Sequence, residues 1–376
     1  MRIQKILYVI TEDWYFHSHR LPLALAARDA GYDVAVATRL NKHADVIQQA
    51  GIRLIPVHLS RRSINIVSEL MMLVRLFLLY RREKPDLVHH VALKPVLYGS
   101  LAARLAGVPH VVNALAGLGY IFTSDQLLAR ILRPAIGKAF RLLLNDSKSR
   151  LILQNKDDLA LFIRKRFIEE ERTSLIRGSG VDTTAFSPTP EPSGHPVVML
   201  ASRMLWDKGV KEFVEAARIL KSRSTHARFV LVGDTDLQNP SAIPQGQLSA
   251  WRAEGIIEWW GHREDMPIVF SEAHIVCLPS FREGLPKVLI EAASCGRPIV
   301  TTDAPGCREI VINEVNGLLV PVRNEMELAN AIQRLIECPE LRQKMGTRGR
   351  EIVLKEFSVE KVVSETMAVY ESLLNR

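Results

Sequence analysis

A chain of 376 residues is long enough for two domains with separate cores, and 47% hydrophobic with 24% charged residues excludes a disordered or fibrous protein. The net charge of +8 suits an anionic partner, whether phosphorylated substrate, membrane surface or nucleic acid, without choosing among them. Cys277, Cys295, Cys307 and Cys338 lack the close pairs of a metal site; Cys277 and Cys295, in a predicted strand and helix, read as buried thiols, which fits a reducing cytoplasm.

Met1 leads almost directly into the apolar run Ile6–Ile10, too soon for a secretion signal. Further Val- and Ile-rich runs follow at 34–37, 52–57, 87–91, 110–112 and 151–153. In the second half they recur at 197–200, 229–232, 256–259, 274–278 and 299–301. Helical patterns separate them, which predicts two parallel sheets with helices on both faces. Ser187 to Pro196 holds four prolines and reads as an inter-domain linker. The expected divisions are therefore 1–187, 188–357 and a last helical segment, 358–376.

In the first half, His17, His19 and Arg20 follow one predicted strand, and His90 and Lys94 close another. These side chains, with Arg61 and Arg62, are candidates for holding an acceptor's phosphate. Ordinary caps and core histidines are the alternative. Gly117 and Gly119 flank Leu118 where backbone or sugar could approach closely. No Gly-x-Gly-x-x-Gly follows any strand, which disfavours a dinucleotide enzyme.

Ile64 to Tyr80, the longest apolar stretch, is broken by Glu69 and Arg75 and is too short to span a membrane, which takes roughly 20 residues. On a helical wheel Asn65, Ser68, Glu69, Arg75 and Arg82 share one side, with Met72, Leu76 and Leu79 intruding. Gln126 to Arg150 is similarly basic and apolar. Both patterns predict peripheral contact with an anionic membrane surface.

The most informative stretch is Phe281-Arg-Glu-Gly-Leu-Pro-Lys-Val-Leu-Ile-Glu-Ala292, in which seven residues separate Glu283 from Glu291. It reads as the turn from a buried strand into a helix, with Pro286 at the first helical position. The N–H groups of Gly284 and Leu285 then point from a helix N-terminus towards phosphate oxygens. Upstream, Ala201-Ser-Arg-Met-Leu-Trp-Asp-Lys-Gly209 places Arg203 and Lys208 just past another strand, at the end where parallel sheets collect ligands. Cations beside phosphate donors, with a carboxylate for hydroxyls, describe a sugar-nucleotide site.

These two motifs, in this order, resemble the retaining glycosyltransferases of family 4, which have the GT-B fold of two Rossmann-like domains facing a cleft. Within that family the chain is most similar to bacterial enzymes that add N-acetylgalactosamine to an undecaprenyl-diphosphate-linked saccharide. The resemblance implies a UDP-sugar donor and a polyprenyl-diphosphate-linked acceptor, met at the inner face of the plasma membrane. It implies that Glu283 holds donor-sugar hydroxyls and Glu291 the ribose, and that the last helix crosses back onto the first domain. Arg203 and Lys208 would steady the leaving diphosphate.

No cofactor is expected, and Asp234-Thr235-Asp236 is read as acidic loop residues rather than a metal site, so no essential metal ion is expected either. The histidine that many members carry after the fifth strand is missing from Asn113 to Tyr120. Competing readings are a sugar-nucleotide epimerase of like architecture and a basic nucleic-acid-binding protein. The second lacks aromatic-interleaved basic strands, so no nucleic-acid partner is expected.

Overall fold

The computed structural model describes residues 3–59, 65–117, 122, 127–236 and 239–375. Contacts divide the chain into two compact units, one of residues 1–179 with 360–376, the other of residues 180–359.

The strands of the first unit are β1 (Lys5–Glu12), β2 (Asp33–Arg39), β3 (Arg53–Pro56), β4 (Leu87–Val91), β5 (His110–Leu115), β6 (Ser149–Leu153) and β7 (Thr173–Leu175). They form one sheet in the order β3-β2-β1-β4-β5-β6-β7, parallel throughout. The second unit contributes β8 (Val197–Ala201), β9 (Arg228–Val232), β10 (Glu258–Trp259), β11 (Ile275–Leu278), β12 (Ile299–Thr302) and β13 (Gly317–Val320). These are ordered β10-β9-β8-β11-β12-β13, again all parallel. Strands buried on both faces read as unbroken apolar runs, which is why they were legible.

Side chains alternate across each strand. In the first unit Ile6, Tyr8 and Ile10 enter one core layer, while Leu7 and Val9 enter the other. In the second, Val198 and Leu200 oppose Val197, Met199 and Ala201 in the same way. The order of strands reverses direction at β1/β4 and again at β8/β11, and such switch points open a crevice beyond the carboxyl ends of the two strands.

The proline-rich stretch 187–196 is not a free linker, because the unit boundary falls earlier, at Ser179/Gly180. Beyond it the chain is fastened to the second unit. Val181 N donates to Phe357 O at 3.0 Å, Arg297 reaches Thr189 Oγ1 at 2.6 Å, and Arg342 grips Glu191 with bonds of 2.9 and 2.7 Å. The helix Val359–Leu374 buries Val362, Tyr370, Leu373 and Leu374 in the core of the first unit. There the Tyr370 hydroxyl meets His89 Nδ1 at 2.5 Å and Tyr8 Oη at 3.0 Å. Among the described residues no helix is long and apolar enough to cross a membrane.

Candidate active site

The switch point of the second unit is built from the segments leaving β8 and β11. After β8 the chain makes a short turn, Trp206–Lys208, and enters the helix Val210–Ser222 through Gly209. Gly209 has φ +72°, and a Cβ there would lie 2.1 Å from Pro279 O, so only glycine lets the two exit segments approach this closely. A bond of 3.0 Å from Phe281 N to Asp207 O ties the segments together. Gly306 plays the same part on the other side: its φ is +80°, and a Cβ would stand 2.6 Å from Glu283 O.

Within this frame the ammonium of Lys208 lies on Oε1 of Glu283, and Ser280 Oγ donates to the same oxygen at 2.7 Å. Both charged side chains are mostly buried, at 19% and 12% exposure, so the pair is largely shielded from solvent screening. Arg203 is held differently. Its guanidinium donates to Asp236 at 2.9 Å and remains 44% exposed. Lys208 and Glu283 are therefore brought into contact, while Arg203, five residues up the same segment, is engaged by another carboxylate. Asp236 thus acts as Arg203's partner.

The helix after β11 spans Lys287–Ser294, with Pro286 as its N-cap in extended backbone rather than at the first helical position. Gly284 and Leu285 consequently lie in the approach loop, with the Leu285 side chain in the core. Glu291 sits on this helix, 8% exposed, paired with Lys287 at 3.2 Å. Burial pushes its carboxyl above the usual range, and the nearby Lys287 opposes this. Ser280, Lys287 and Asp236 were not picked out from the sequence as site residues. A hydroxyl three positions before Glu283 was the available signal for the first.

In the first unit the candidates scatter. His17 and His19 lie on the helix Asp13–His19 that follows β1. The His17 ring stacks on His43 and the His19 ring on Tyr15, with centroids 4.9 and 4.2 Å apart. Arg20 is buried, and its positive charge bears on Tyr8, Tyr15, His89 and Tyr370. Lys94 pairs with Glu69 at 2.6 Å.

His90 lies wholly in the core of the first unit. Its Nδ1 donates to Asn113 Oδ1 at 2.9 Å, which leaves Nε2 to accept from the Tyr80 hydroxyl, also at 2.9 Å. Gly117 is described, with φ +136°. Arg61, Arg62 and Gly119 lie outside the described residues.

The chain thus has two doubly wound parallel sheets, the second with a lysine–glutamate pair beyond its switch point. The glycosyl transferase 4-like family matches residues 5–155, and the family described as glycosyl transferases group 1 matches residues 195–338. The chain belongs to the glycosyltransferases that join these two domains.

One relative is the N,N'-diacetylbacillosaminyl-diphospho-undecaprenol alpha-1,3-N-acetylgalactosaminyltransferase of Campylobacter jejuni, 27% identical over 94% of this chain and 95% of the relative. Another is the Escherichia coli UDP-Gal:alpha-D-GlcNAc-diphosphoundecaprenol alpha-1,3-galactosyltransferase, 26% identical over 82% of this chain and 81% of the relative. The fold is shared with Anabaena Alr3699/HepE in complex with UDP, at TM-score 0.80 and 20% identity over 98% of this chain and 100% of that one. It is shared equally with sucrose-phosphate synthase from Thermosynechococcus elongatus, at TM-score 0.80 and 21% identity over 99% of each chain.

Proposed function

We propose that this glycosyltransferase moves a sugar, N-acetylgalactosamine by preference, from a UDP-sugar to an undecaprenyl-diphosphate-linked saccharide, with retention at the anomeric carbon and without an essential metal ion. The reaction would take place at the cytoplasmic face of the plasma membrane, where such an acceptor is presented. The observation that carries the reading is the Lys208–Glu283 pair at the β8/β11 switch point. The relatives from Campylobacter and Escherichia coli, both named for transfer to undecaprenol-diphosphate-linked sugars, support the choice of acceptor.

The chemistry follows from the charges. As the bond between the anomeric carbon and the β-phosphate oxygen breaks, negative charge gathers on the diphosphate and positive charge on the sugar. Lys208 and Arg203 offset the first, and losing one such contact costs about 2.7–4 kcal/mol. Backbone N–H groups at the start of the helix Lys287–Ser294 add a partial positive charge. Glu283 receives the sugar's hydroxyls and Glu291 the ribose.

The acceptor hydroxyl attacks the face from which the diphosphate departs, a new C–O bond forms, and the departing phosphate oxygen takes the hydroxyl proton. No protein nucleophile is needed. Glu283 is poorly suited to be one, since Oε1 already carries an ammonium and a hydroxyl.

The test is incubation with a panel of UDP- and GDP-sugars and a polyprenyl-diphosphate-linked acceptor, reading product mass and anomeric configuration, with and without a chelator. The expected product is heavier by one N-acetylhexosamine, α-linked, and formed equally with chelator present. UDP-sugar turnover that needs no acceptor would point to epimerisation instead, and an inverted linkage or a chelator-abolished reaction would remove the corresponding part of the reading.

A further inference from the structure

The helix Ile66–Glu83 has two faces of opposite design. Met72, Leu76, Leu79 and Tyr80 are buried against β1 and β4, so the residues that seemed to intrude on a polar side are core residues. The outward face is where the anomaly lies. Val67, Leu70, Met71, Val74 and Leu78 are 47–64% exposed. At 100° per residue they fall, with exposed Arg75, Arg81 and Arg82, within an arc of about 140°. No acid shares that arc. Glu69 and Glu83 lie on the other side, where they pair with Lys94 and Arg53 at 2.6 and 2.8 Å; Glu83 also reaches Arg82 at 3.2 Å, whose side chain stays 68% exposed. A solvent-facing helix surface ordinarily carries the reverse composition.

The pattern continues over the same layer. The helix Ser100–Ala106 packs against Ile66–Glu83 and against Leu127–Leu144, and Arg104 donates to Leu142 O at 3.3 Å. On these neighbours Leu105, Ile131 and Leu142 stand 61–65% exposed. Lys138 and Arg141 are exposed among them.

We propose that the outward face of Ile66–Glu83 is the surface by which the first unit seats on an anionic lipid bilayer, its aliphatic side chains entering the interface while Arg75, Arg81 and Arg82 meet lipid phosphates. Charge decides between this occupant and a second copy of the chain. A two-fold contact through this face would set arginines against arginines, whereas an anionic surface neutralises them. The proposal deepens the functional reading, because the acceptor assigned there is lipid-linked.

Flotation with vesicles of phosphatidylcholine alone or with added phosphatidylglycerol tests it, using the full chain and no sugar nucleotide, so a failure of the transfer assay leaves this result readable. The chain should float with phosphatidylglycerol-containing vesicles only. Val74→Glu/Leu78→Glu should reduce the bound fraction more than tenfold, and Arg75→Gln/Arg81→Gln/Arg82→Gln by about fivefold per charge removed. Both variants should keep the parent's melting temperature and its turnover of a water-soluble acceptor analogue. Equal partition of parent and variants, or no partition by the parent, overturns the proposal. So does sedimentation showing a dimer that the Val74→Glu/Leu78→Glu variant dissociates while vesicle binding is unchanged, which would make a second copy the occupant.

Discussion

The Lys208 ammonium rests on the Glu283 carboxylate across 75 residues of sequence, and Ser280 holds the same oxygen. Each charge therefore has a partner within the protein, and on the proposed reading a diphosphate at Lys208 shares the cation with Glu283.

Replacing either member separates two effects. Lys208→Ala should lower kcat/KM by about 100–1,000-fold and weaken UDP binding, because it removes the phosphate contact proposed for this lysine. Glu283→Ala should lower turnover by a similar factor yet leave UDP binding unchanged or tighter, since Lys208 is released. The double variant should fall well short of the product of the two losses, as expected for groups in contact. Calorimetric titration with UDP beside steady-state rates checks all three.

On the proposed reading, Asp236 competes with the donor's phosphates for the Arg203 guanidinium. Asp236→Asn should therefore tighten UDP binding, by about two- to fivefold given the modest worth of exposed ion pairs, with the gain shrinking as salt rises. Weaker binding in this variant would mean instead that Asp236 orients Arg203.

Gly209 is expected to tolerate no side chain. Gly209→Ala combines a left-handed backbone with a Cβ driven into Pro279 O, and should cost about 2–4 kcal/mol of stability in a melting experiment. Loss of transfer should accompany it even where the protein stays folded, because both exit segments meet there.

His90 gives an acid sensitivity with a definite sign. Burial pushes its pKa down to about 4, against about 6.5 in an unfolded chain. The unfolded state thus takes up a proton first as pH falls. The contribution is intact above about pH 6.5, erodes between there and about pH 4, and amounts to about 3 kcal/mol when fully lost. Denaturant unfolding at pH 7.5 and 5.0 should show the decline, and His90→Gln should make it shallower, with buried His89, also held low, supplying a further part.

The parallel architecture was open to reading because doubly buried strands are continuous apolar runs, and Leu87–Val91 was bounded to the residue. Two strands escaped: Thr173–Leu175 is short and largely polar, and Gly317–Val320 opens on a glycine. That Lys208 and Glu283 lie close together was suggested because each follows a strand of the same sheet, and the two segments meet at the β8/β11 switch point. The first unit was less transparent. His89 and His90 are adjacent in one strand, so alternation sends one to Tyr370 and the other to Tyr80, and they could not both have served one ligand. The outward face of Ile66–Glu83 was misassigned on the wheel because hydrophobicity alone does not say which apolar side meets the sheet.

The placement of Tyr370 bears on how the molecule is made. Its ring and hydroxyl complete a core whose other members, Tyr8 and His89, are synthesised long before it. The amino-terminal half must then wait, unfinished, until translation has passed residue 374, while the segment 180–359 carries all it needs to fold first. A released chain ending after Val359 should accordingly show a protease-resistant second unit beside a digestible first, the reverse of the usual order in which domains mature from the amino terminus.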